Sequence, residues 1–247
     1  MYEEILDIVK KEGQDLLKIA GTVKDGHNAK EWTTLHDEAV EKRIEEVINS
    51  FGSDHIIYGE ESTKPFLDSE NLWIIDPISH TINFIHGMPH FAVVVSHIHK
   101  GEVVFGCVYD PSMDEMFTAE KGKGAFLNGE KISVKDAEFK PLILFNPYPL
   151  ASWTLDETQA VYEKIYDLGY IDALGSMGLQ FAYVAVGRVQ LVVMTNKDTF
   201  PLFAGKLLVE EAGGKFSDFQ GNNLTVSSRG IIAGTQKYYN EALSRLS

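Results

Sequence analysis

One short stretch of the sequence, around Asp76, concentrates side chains that could bind an anion or move a proton. An apolar run at residues 72–75 ends at Asp76, a proline follows, and the next polar residues are Ser79, His80 and Thr81. This pattern predicts a buried strand and then a turn that opens onto a helix. A carboxylate at a strand end, beside free backbone N–H groups, suits a metal ion or a phosphate group. A turn capped by the hydroxyls of Ser79 and Thr81 is the structural alternative.

The bulk composition indicates a globular, acidic protein. The 247 residues include 36 acidic and 22 basic side chains, for a net charge of −14, which disfavours nucleic acid or an anionic membrane as the main partner. The single cysteine, Cys107, lies in an apolar run and is expected in the core rather than as a nucleophile. The acidic N-terminus and the lack of a long apolar run predict a cytoplasmic protein with no membrane span.

The elements that must position these residues fall into two halves. Apolar spacing predicts helices over residues 3–20, interrupted at Gly13, and 35–50, with a loop or hairpin at 21–33. A largely antiparallel sheet follows, with strands predicted at 55–58, 72–75, 91–99, 102–109 and 116–119, and tight turns at 121–129. The proline-containing segment 137–150 predicts a crossover, after which helices and strands alternate to the end. The predicted helices there are 155–168, 178–186, 201–212 and one from about 237, with strands at 170–174 and 189–194 and near 215 and 231.

Several collinear motifs resemble the inositol monophosphatase family of Mg²⁺-dependent, lithium-sensitive phosphatases. They are Thr34-x-x-Asp37-x-x-x-Glu41, Tyr58-Gly-Glu-Glu-Ser62, Trp73-Ile-Ile-Asp-Pro-Ile78, Thr81-x-Asn-Phe84, Phe105-Gly-x-Val-Tyr109, Lys121-Gly-x-Gly-Ala-Phe126 and Glu210-Glu-Ala-Gly-Gly214. The resemblance implies an α/β fold, an α+β layered sandwich in which helix and sheet layers alternate. It also implies one domain over residues 1–247, with lobes at 1–140 and 141–247, and a homodimer that binds a small-molecule substrate.

The sequence departs from the family pattern at four positions of its two signatures, and it also lacks a family acid near Met194 and an arginine before Gly175-Ser176. The family signature reads Asp-Pro-(Ile/Leu)-Asp-Gly-Thr, but Ser79 and His80 stand where it has its second aspartate and its glycine. A second signature places Trp-Asp at the start of a helix, where this chain has Phe200 and Pro201. Two metal-binding carboxylates of the family are therefore absent, and we expect negligible conventional phosphatase activity.

The resemblance leaves half of a metal site. Glu60, Asp76 and the backbone carbonyl of Ile78 correspond to the ligands of the family's first metal, with Asp37 behind them. Mg²⁺ prefers hard oxygen ligands and keeps waters in its shell, so these groups would hold one weakly bound Mg²⁺ at most. We therefore expect no required cofactor.

Three further residues are assigned to substrate binding. Thr81 and Ser176 occupy motif positions near the family's pocket. Asp198 lies three residues before Pro201 and could supply a ligand from the loop, or cap the following helix.

His80 is the most informative substitution, and four residues form the predicted catalytic set: His80, Asp76, Glu60 and Ser79. An imidazole could bind an anion when protonated, or transfer protons in partnership with Asp76 or Glu60. A nucleophilic arrangement of Ser79, His80 and Asp76 is less favoured, because adjacent residues seldom point at one another. A histidine that fills the space left by a metal, hydrogen-bonded to Glu60 or Asp76, is the structural alternative.

Other histidines and aromatic residues are weaker candidates. A histidine-rich segment could hold a metal, although solvated strand and loop positions are the default, and its members are His86, His90, His97 and His99. Three aromatic residues could line a pocket or belong to the core, namely Trp32, Tyr148 and Trp153.

Three classes of function follow from these residues. The preferred one is a repurposed enzyme with a divergent active site that acts on a small molecule by metal-poor acid/base catalysis: isomerisation, cyclisation, elimination or non-phosphoryl hydrolysis. The alternatives are a residual Mg²⁺-dependent phosphatase of inositol or sugar phosphates, and a non-catalytic pseudophosphatase that binds a partner.

Overall fold

The computed structural model describes residues 1–22, 28–60, 69–147, 153–195, 199–224 and 228–247. These residues form seven helices and twelve strands. The helices are α1 (Tyr2–Ile19), α2 (Ala29–Asn49), α3 (Thr81–Ile85), α4 (Leu155–Ile165), α5 (Met177–Ala185), α6 (Thr199–Glu211) and α7 (Gln236–Leu246). The strands are β1 (His55–Gly59), β2 (Asn71–Ser79), β3 (Ala92–His99), β4 (Glu102–Asp110), β5 (Glu115–Glu120), β6 (Gly124–Leu127), β7 (Glu130–Ile132), β8 (Leu142–Asn146), β9 (Tyr170–Asp172), β10 (Leu191–Met194), β11 (Lys215–Ser217) and β12 (Ile231–Gly234).

The strands form two sheets. The first runs β1 to β7 in sequence order and is antiparallel except for the parallel β1–β2 pair. The second has the order β11-β12-β10-β8-β9, with parallel pairs at β10–β8 and β8–β9. The predicted antiparallel sheet and the mixed second half are confirmed, whereas the boundary between lobes at residue 140 stays a prediction.

Helix and sheet layers alternate through the molecule, as the layered α/β class predicts. Helices α1 and α2 pack on one face of the first sheet in a shared apolar cluster. Helices α5 and α6 fill the space between the two sheets, and α4 and α7 cover the outer face of the second sheet. Both faces of the long strands are therefore buried, which removes most of their apolar surface from water.

The first two helices are more continuous than the apolar spacing predicts. Helix α1 continues through Gly13 without interruption. This glycine packs under the ring of Tyr109, where a Cβ would come within 2.5 Å of the ring. The second helix begins at Ala29 rather than near 35, so a loop over all of 21–33 is wrong; residues 23–27 lie outside the described part. The side chain of Asn28 accepts a hydrogen bond from the backbone N–H of Glu31 and so caps α2.

The strand that carries the candidate site is longer than predicted. It does not stop at Ile75 but continues past Asp76 and Pro77 to Ser79. The pairing of β2 with β3 shifts register between Asp76 and Ser79. Such an irregularity accommodates proline, which has no N–H to donate to the ladder.

The proline-containing segment after residue 136 is more than a crossover. It contains β8, whose residues are almost entirely buried and which lies between β10 and β9 in the second sheet. The turns predicted at 121–129 likewise contain β6, and β7 follows it. β8 pairs only with strands far along the chain, β9 and β10, whereas β6 and β7 are three to four residues long and are bounded by glycines, so they read as turns in the sequence.

Helix α6 is held at its middle and at its end. A Cβ at Gly106 of β4 would lie 2.8 Å from the Cα of Ala204, so only glycine permits this close approach of helix and sheet. At the last residue, Glu211 accepts hydrogen bonds from the backbone N–H groups of Gly122 (2.8 Å) and Gly124 (2.9 Å). Among the described helices, none combines the length and the apolar character needed to cross a membrane.

Candidate active site at the end of β2

The last residue of β2, Ser79, makes a direct bridge to the start of α5. The hydroxyl of Ser176 donates a hydrogen bond to the hydroxyl oxygen of Ser79 at 2.9 Å, and both residues are buried. Ser176 is also the N-cap of α5 and accepts a hydrogen bond from the backbone N–H of Leu179. Two neutral hydroxyl groups thus join the two segments where the family resemblance implies a carboxylate.

The next residue, His80, has a left-handed backbone conformation. In the sequence, only the comparison with the family signature indicates it. Its φ of 73° places it in the left-handed region, where the family has glycine and where a residue with a Cβ is uncommon. It is the N-cap residue of α3, although its side chain makes no capping hydrogen bond. The structural alternative of a turn capped by Ser79 and Thr81 is therefore wrong: the Thr81 hydroxyl donates to the carbonyl of Ile78 (3.2 Å), and Ser79 pairs with Ser176.

The imidazole of His80 is half-buried, and its environment favours the neutral form. Burial lowers the pKa of His80, while hydrogen bonds with its own main chain and with the side chain of Asn83 act in the opposite direction. Because the net direction is downward from 6.5, the ring is neutral at physiological pH. A neutral imidazole can accept a proton, which is the property of a general base.

A glycine makes the packing around His80 possible. A Cβ at Gly175 would lie 2.3 Å from Nδ2 of Asn83, 2.6 Å from the carbonyl oxygen of His90 and 3.0 Å from Nδ1 of His80. The backbone N–H of Ser176 donates to the same His90 carbonyl at 3.2 Å. The turn before α5 therefore lies directly against the His80 ring.

Four carboxyl residues belong to the motifs that the family resemblance associates with the site. Asp76 is buried at the end of β2, Asp37 and Glu41 are buried on α2, and Glu60 is exposed after β1. A Cβ at Gly59 would lie about 2 Å from the Glu41 carboxyl atoms, so Glu41 packs directly on the strand end that carries Glu60. Glu41 was not among the predicted site residues, although its spacing of four residues from Asp37 places both on one helix face.

These residues fit a two-metal centre poorly. The Ser79 hydroxyl is a weak ligand and is hydrogen-bonded to Ser176, and Pro201 in the first turn of α6 offers no side-chain donor. Within the described parts of the chain, no three His, Cys, Asp or Glu side chains are grouped so that they could hold a metal ion. What remains is the predicted set of Glu60, Asp76 and the Ile78 carbonyl, which would supply oxygen ligands for one weakly held Mg²⁺.

The start of α6 carries an aromatic residue, Phe200, that contacts the first sheet. Phe200 stacks on Tyr58, with ring centroids 5.3 Å apart and planes 11° apart. Both rings pack against the apolar cluster of Leu72, Ile74 and Ile98, whereas Glu41 packs against Gly59, whose side-chain position lies on the other face of β1. Asp198 and Tyr148, a predicted substrate-binding residue and a possible pocket residue, lie outside the described residues.

The remaining candidate residues are buried or packed against other side chains of the fold. His97 is 4% exposed, so the expectation of a solvated histidine is wrong for it, and the described residues form no metal cluster around it. Trp32 belongs to the core and stacks on Phe84, and Trp153 is half-buried against Phe219. Cys107 is buried as predicted, and burial raises the pKa of its thiol to about 12.

Alternating α, β, α, β and α layers, with a polar turn between a strand end and two helix starts, define a five-layered α/β fold. The chain belongs to the inositol monophosphatase family, whose model matches residues 3–247. It is 34% identical over 220 residues to "Nus factor SuhB" of Pasteurella multocida, covering 87% of this chain and 82% of that protein. It is 33% identical over 214 residues to "Fructose-1,6-bisphosphatase/inositol-1-monophosphatase" of Thermotoga maritima, with the same coverage of 87% and 82%. Among solved structures, the extragenic suppressor protein suhB of Bartonella henselae superimposes with a TM-score of 0.89 at 28% identity, covering 100% of this chain and 98% of that one.

Proposed function

We propose that this protein is an inositol monophosphatase-family enzyme that acts on a small molecule by metal-poor acid/base chemistry, with His80 as the base. The observation that carries the proposal is the pairing of the Ser79 and Ser176 hydroxyls beside a neutral, half-buried His80. A turn that would have to present a carboxylate to a metal instead presents a hydroxyl pair and an imidazole.

The residues around His80 suit proton transfer. His80 would accept a proton from a substrate O–H or C–H group, and the positive charge that develops would be stabilised by the carboxyl groups of Asp76 and Glu60. Thr81, which is partly exposed, would orient the substrate through its hydroxyl, and the buried Ser79–Ser176 pair would hold the two segments of the site together. Isomerisation, cyclisation, elimination and non-phosphoryl hydrolysis all begin with such a proton transfer, so the proposal covers this group of reactions.

The test is a turnover assay that detects products other than inorganic phosphate. Purified protein is incubated with a panel of sugar and inositol phosphates and the free polyols, in excess EDTA or in Mg²⁺, and followed by ¹H and ³¹P NMR. We expect conversion that persists in EDTA and falls at least 100-fold in His80→Ala. Release of phosphate that depends on Mg²⁺ would overturn the proposal.

A matched gain-of-function variant sharpens this test. Ser79→Asp/His80→Gly/Pro201→Asp restores the family residues at the three changed positions. If the scaffold is as inferred, this variant gains Mg²⁺ binding, measured by calorimetry, and Mg²⁺-dependent phosphate release that the wild-type chain lacks.

Residual phosphatase activity is the second candidate. It is favoured by the name of the Thermotoga maritima relative and by the surviving oxygen groups of Glu60, Asp76 and Ile78. Under this candidate, Mg²⁺-dependent phosphate release would appear in the wild-type protein and fall in Glu60→Gln.

A non-catalytic binding role is the third candidate, and the name "Nus factor" carried by relatives favours it. Under this candidate no compound of the panel is converted, and His80→Ala leaves binding of the partner unchanged.

A further inference from the structure

The backbone of His90, two residues before β3, is left-handed: its φ is 68°, which is uncommon for a residue that carries a Cβ. Its carbonyl oxygen accepts two hydrogen bonds, one from the backbone N–H of Ser176 at 3.2 Å and one from Nδ2 of Asn83 at 3.2 Å. Rotation about the backbone of His90 would turn this carbonyl away from both donors. The conformation of one residue therefore joins the start of α5 to the middle of α3.

The side chain of His90 contacts a second point on α5. Its ring lies edge-on to the ring of Tyr183, with centroids 6.2 Å apart and planes at 86°, and its Nδ1 is 3.4 Å from the Tyr183 hydroxyl oxygen. Tyr183 is seven residues after Ser176, so the two residues lie on one face of the helix, two turns apart. His90 is thus fixed to α5 through its main chain at one turn and through its ring at another.

The Tyr183 hydroxyl is itself held by Asp110, a buried residue at the end of β4. It donates a hydrogen bond to Oδ2 of Asp110 at 3.3 Å, and Oδ1 of that carboxyl group accepts from the backbone N–H groups of Ser112 (2.8 Å) and Met113 (3.2 Å). Burial, followed by the Asp110 charge, raises the pKa of Tyr183, so its hydroxyl stays protonated and remains a donor at physiological pH. The position of the Tyr183 ring is therefore set from β4.

We propose that His90 is a positioning residue, which holds the start of α5 in the place that the site requires. The contacts run from Tyr183 through His90 to Ser176, whose hydroxyl donates to Ser79 at the end of β2. The turn before Ser176 lies against the ring of His80, the proposed base, so a displacement of this turn changes the geometry around that ring. The effect on turnover rests on the proposed function, whereas the effect on the Ser176 amide does not.

Two variants of His90 test the role of its backbone. His90→Ala disfavours the left-handed conformation and removes the ring, whereas His90→Asn keeps a residue that tolerates this conformation and a side chain that can hydrogen-bond to Tyr183. Exchange of the Ser176 amide hydrogen, followed by NMR, reports on its bond to the His90 carbonyl. We expect this exchange to be about 10-fold faster in His90→Ala, and within about 3-fold of the wild type in His90→Asn.

The kinetic readout separates positioning from general destabilisation. On the compound of the panel that the wild type converts fastest, His90→Ala should lower kcat about 10-fold and leave KM within about 2-fold. His90→Asn should restore most of kcat. A role in packing alone would lower the free energy of unfolding and leave kcat per folded molecule unchanged.

Tyr239 provides a matched control for Tyr183. The two tyrosines are 8% and 7% exposed, and the hydroxyl of Tyr239 donates to Ser217 of β11 at 2.7 Å, away from the site. Tyr183→Phe should speed exchange of the Ser176 amide about 3-fold, the size expected for one hydrogen bond. Tyr239→Phe removes a hydrogen bond of the same kind and should leave the Ser176 amide unchanged.

Three results would overturn the inference. They are a Ser176 amide that exchanges in His90→Ala as in the wild type, one that exchanges as fast in Tyr239→Phe as in Tyr183→Phe, and an unchanged kcat per folded molecule in His90→Ala. If His90→Ala does not fold, the comparison of the two phenylalanine variants decides. Failure of the proposed function alone would appear as no conversion of any panel compound by the wild type, with the exchange rates as expected.

Discussion

Two histidines associated with β2 have pKa values lowered mainly by burial, yet they occupy very different surroundings. His97 of β3 pairs in register with Trp73 of β2, and its ring stacks on the indole at 4.3 Å with planes 4° apart. The hydroxyl of Tyr2 lies 3.0 Å from its Nδ1, and its Nε2 is buried with no hydrogen-bond partner within the described residues. His80, at the other end of β2, is half-exposed in a left-handed turn.

The comparison teaches that a depressed histidine pKa does not by itself identify a catalytic group. His97 has no access to a substrate, and its neutral ring fills an aromatic cluster. His80 combines partial access with a backbone conformation that disfavours any residue but glycine, and unfavourable local geometry of this kind is concentrated at functional sites. Variants that act differently on the two histidines test whether this distinction holds.

The largest expected effect is acid destabilisation through His97. Burial, followed by the positive charges of His55 and His99, lowers the pKa of His97 from 6.5 to about 4. The unfolded chain therefore binds more protons between these values, so stability is complete above pH 6.5 and declines as pH falls toward 4. Other groups facing this ring from packed elements are Tyr2 of α1, whose pKa burial raises to about 12, and the neutral rings of Trp73 and Phe105.

We expect the His97 contribution to reach about 3 kcal/mol across that interval. Urea unfolding of the wild type and His97→Gln at several pH values between 7.5 and 4.5 measures it. The difference in the free energy of unfolding between the wild type and His97→Gln should become smaller as the pH falls. A constant difference would show that His97 does not titrate differently on folding.

An intermediate effect is expected at Gly175. A methyl group in Gly175→Ala would collide with Asn83 and with the His90 carbonyl, so we expect a loss of about 1–3 kcal/mol in the free energy of unfolding. It should also change the His80 NMR signals while those of His97 stay in place. Gly101→Ala serves as the control: nothing lies within 4 Å of its Cβ position and its φ is 79°, so it incurs only the backbone cost of about 1 kcal/mol.

The smallest expected effect is a gain in the free energy of unfolding rather than a loss. His80→Gly relieves the left-handed conformation and should raise the free energy of unfolding by up to about 1 kcal/mol while abolishing turnover. Lys100→Gly, in an exposed turn with φ of 52°, should give a similar gain without loss of turnover. If His80→Gly instead lowers the free energy of unfolding, packing of the imidazole contributes more to stability than its left-handed backbone costs. His80 would then resemble His97, whose ring stabilises the fold by packing.

Much of the scaffold was predictable, because apolar spacing determines which faces are buried. The helices α1 and α4 to α7 and the strands β3 to β5 match their predicted positions to within a few residues. The extension of β2 past Pro77 was not predictable from local signals, since a bulge compensates for the proline. Nor was the burial of His97, because alternation along β3 cannot show that layers cover both faces of the sheet.

The candidate site was predictable as a set of residues but not as a set of contacts. Asp76, Ser79 and His80 stand out in the sequence, whereas the bond from Ser176 to Ser79 joins positions 97 residues apart. Likewise, Asn83 reads as a motif residue, and only the fold shows that Gly175 brings its amide against His80.

The two contacts that fix α6 limit how the start of that helix can move. Helix α6 is fixed at its middle by the close Gly106–Ala204 contact and at its last residue by the Glu211 carboxylate, so it cannot slide along its own axis. Because two separate points of the helix are fixed to the first sheet, its first turn, which carries Phe200, cannot pivot independently of that sheet. The link between the end of β2 and the start of α5, by contrast, includes the single Ser176–Ser79 hydrogen bond between side chains.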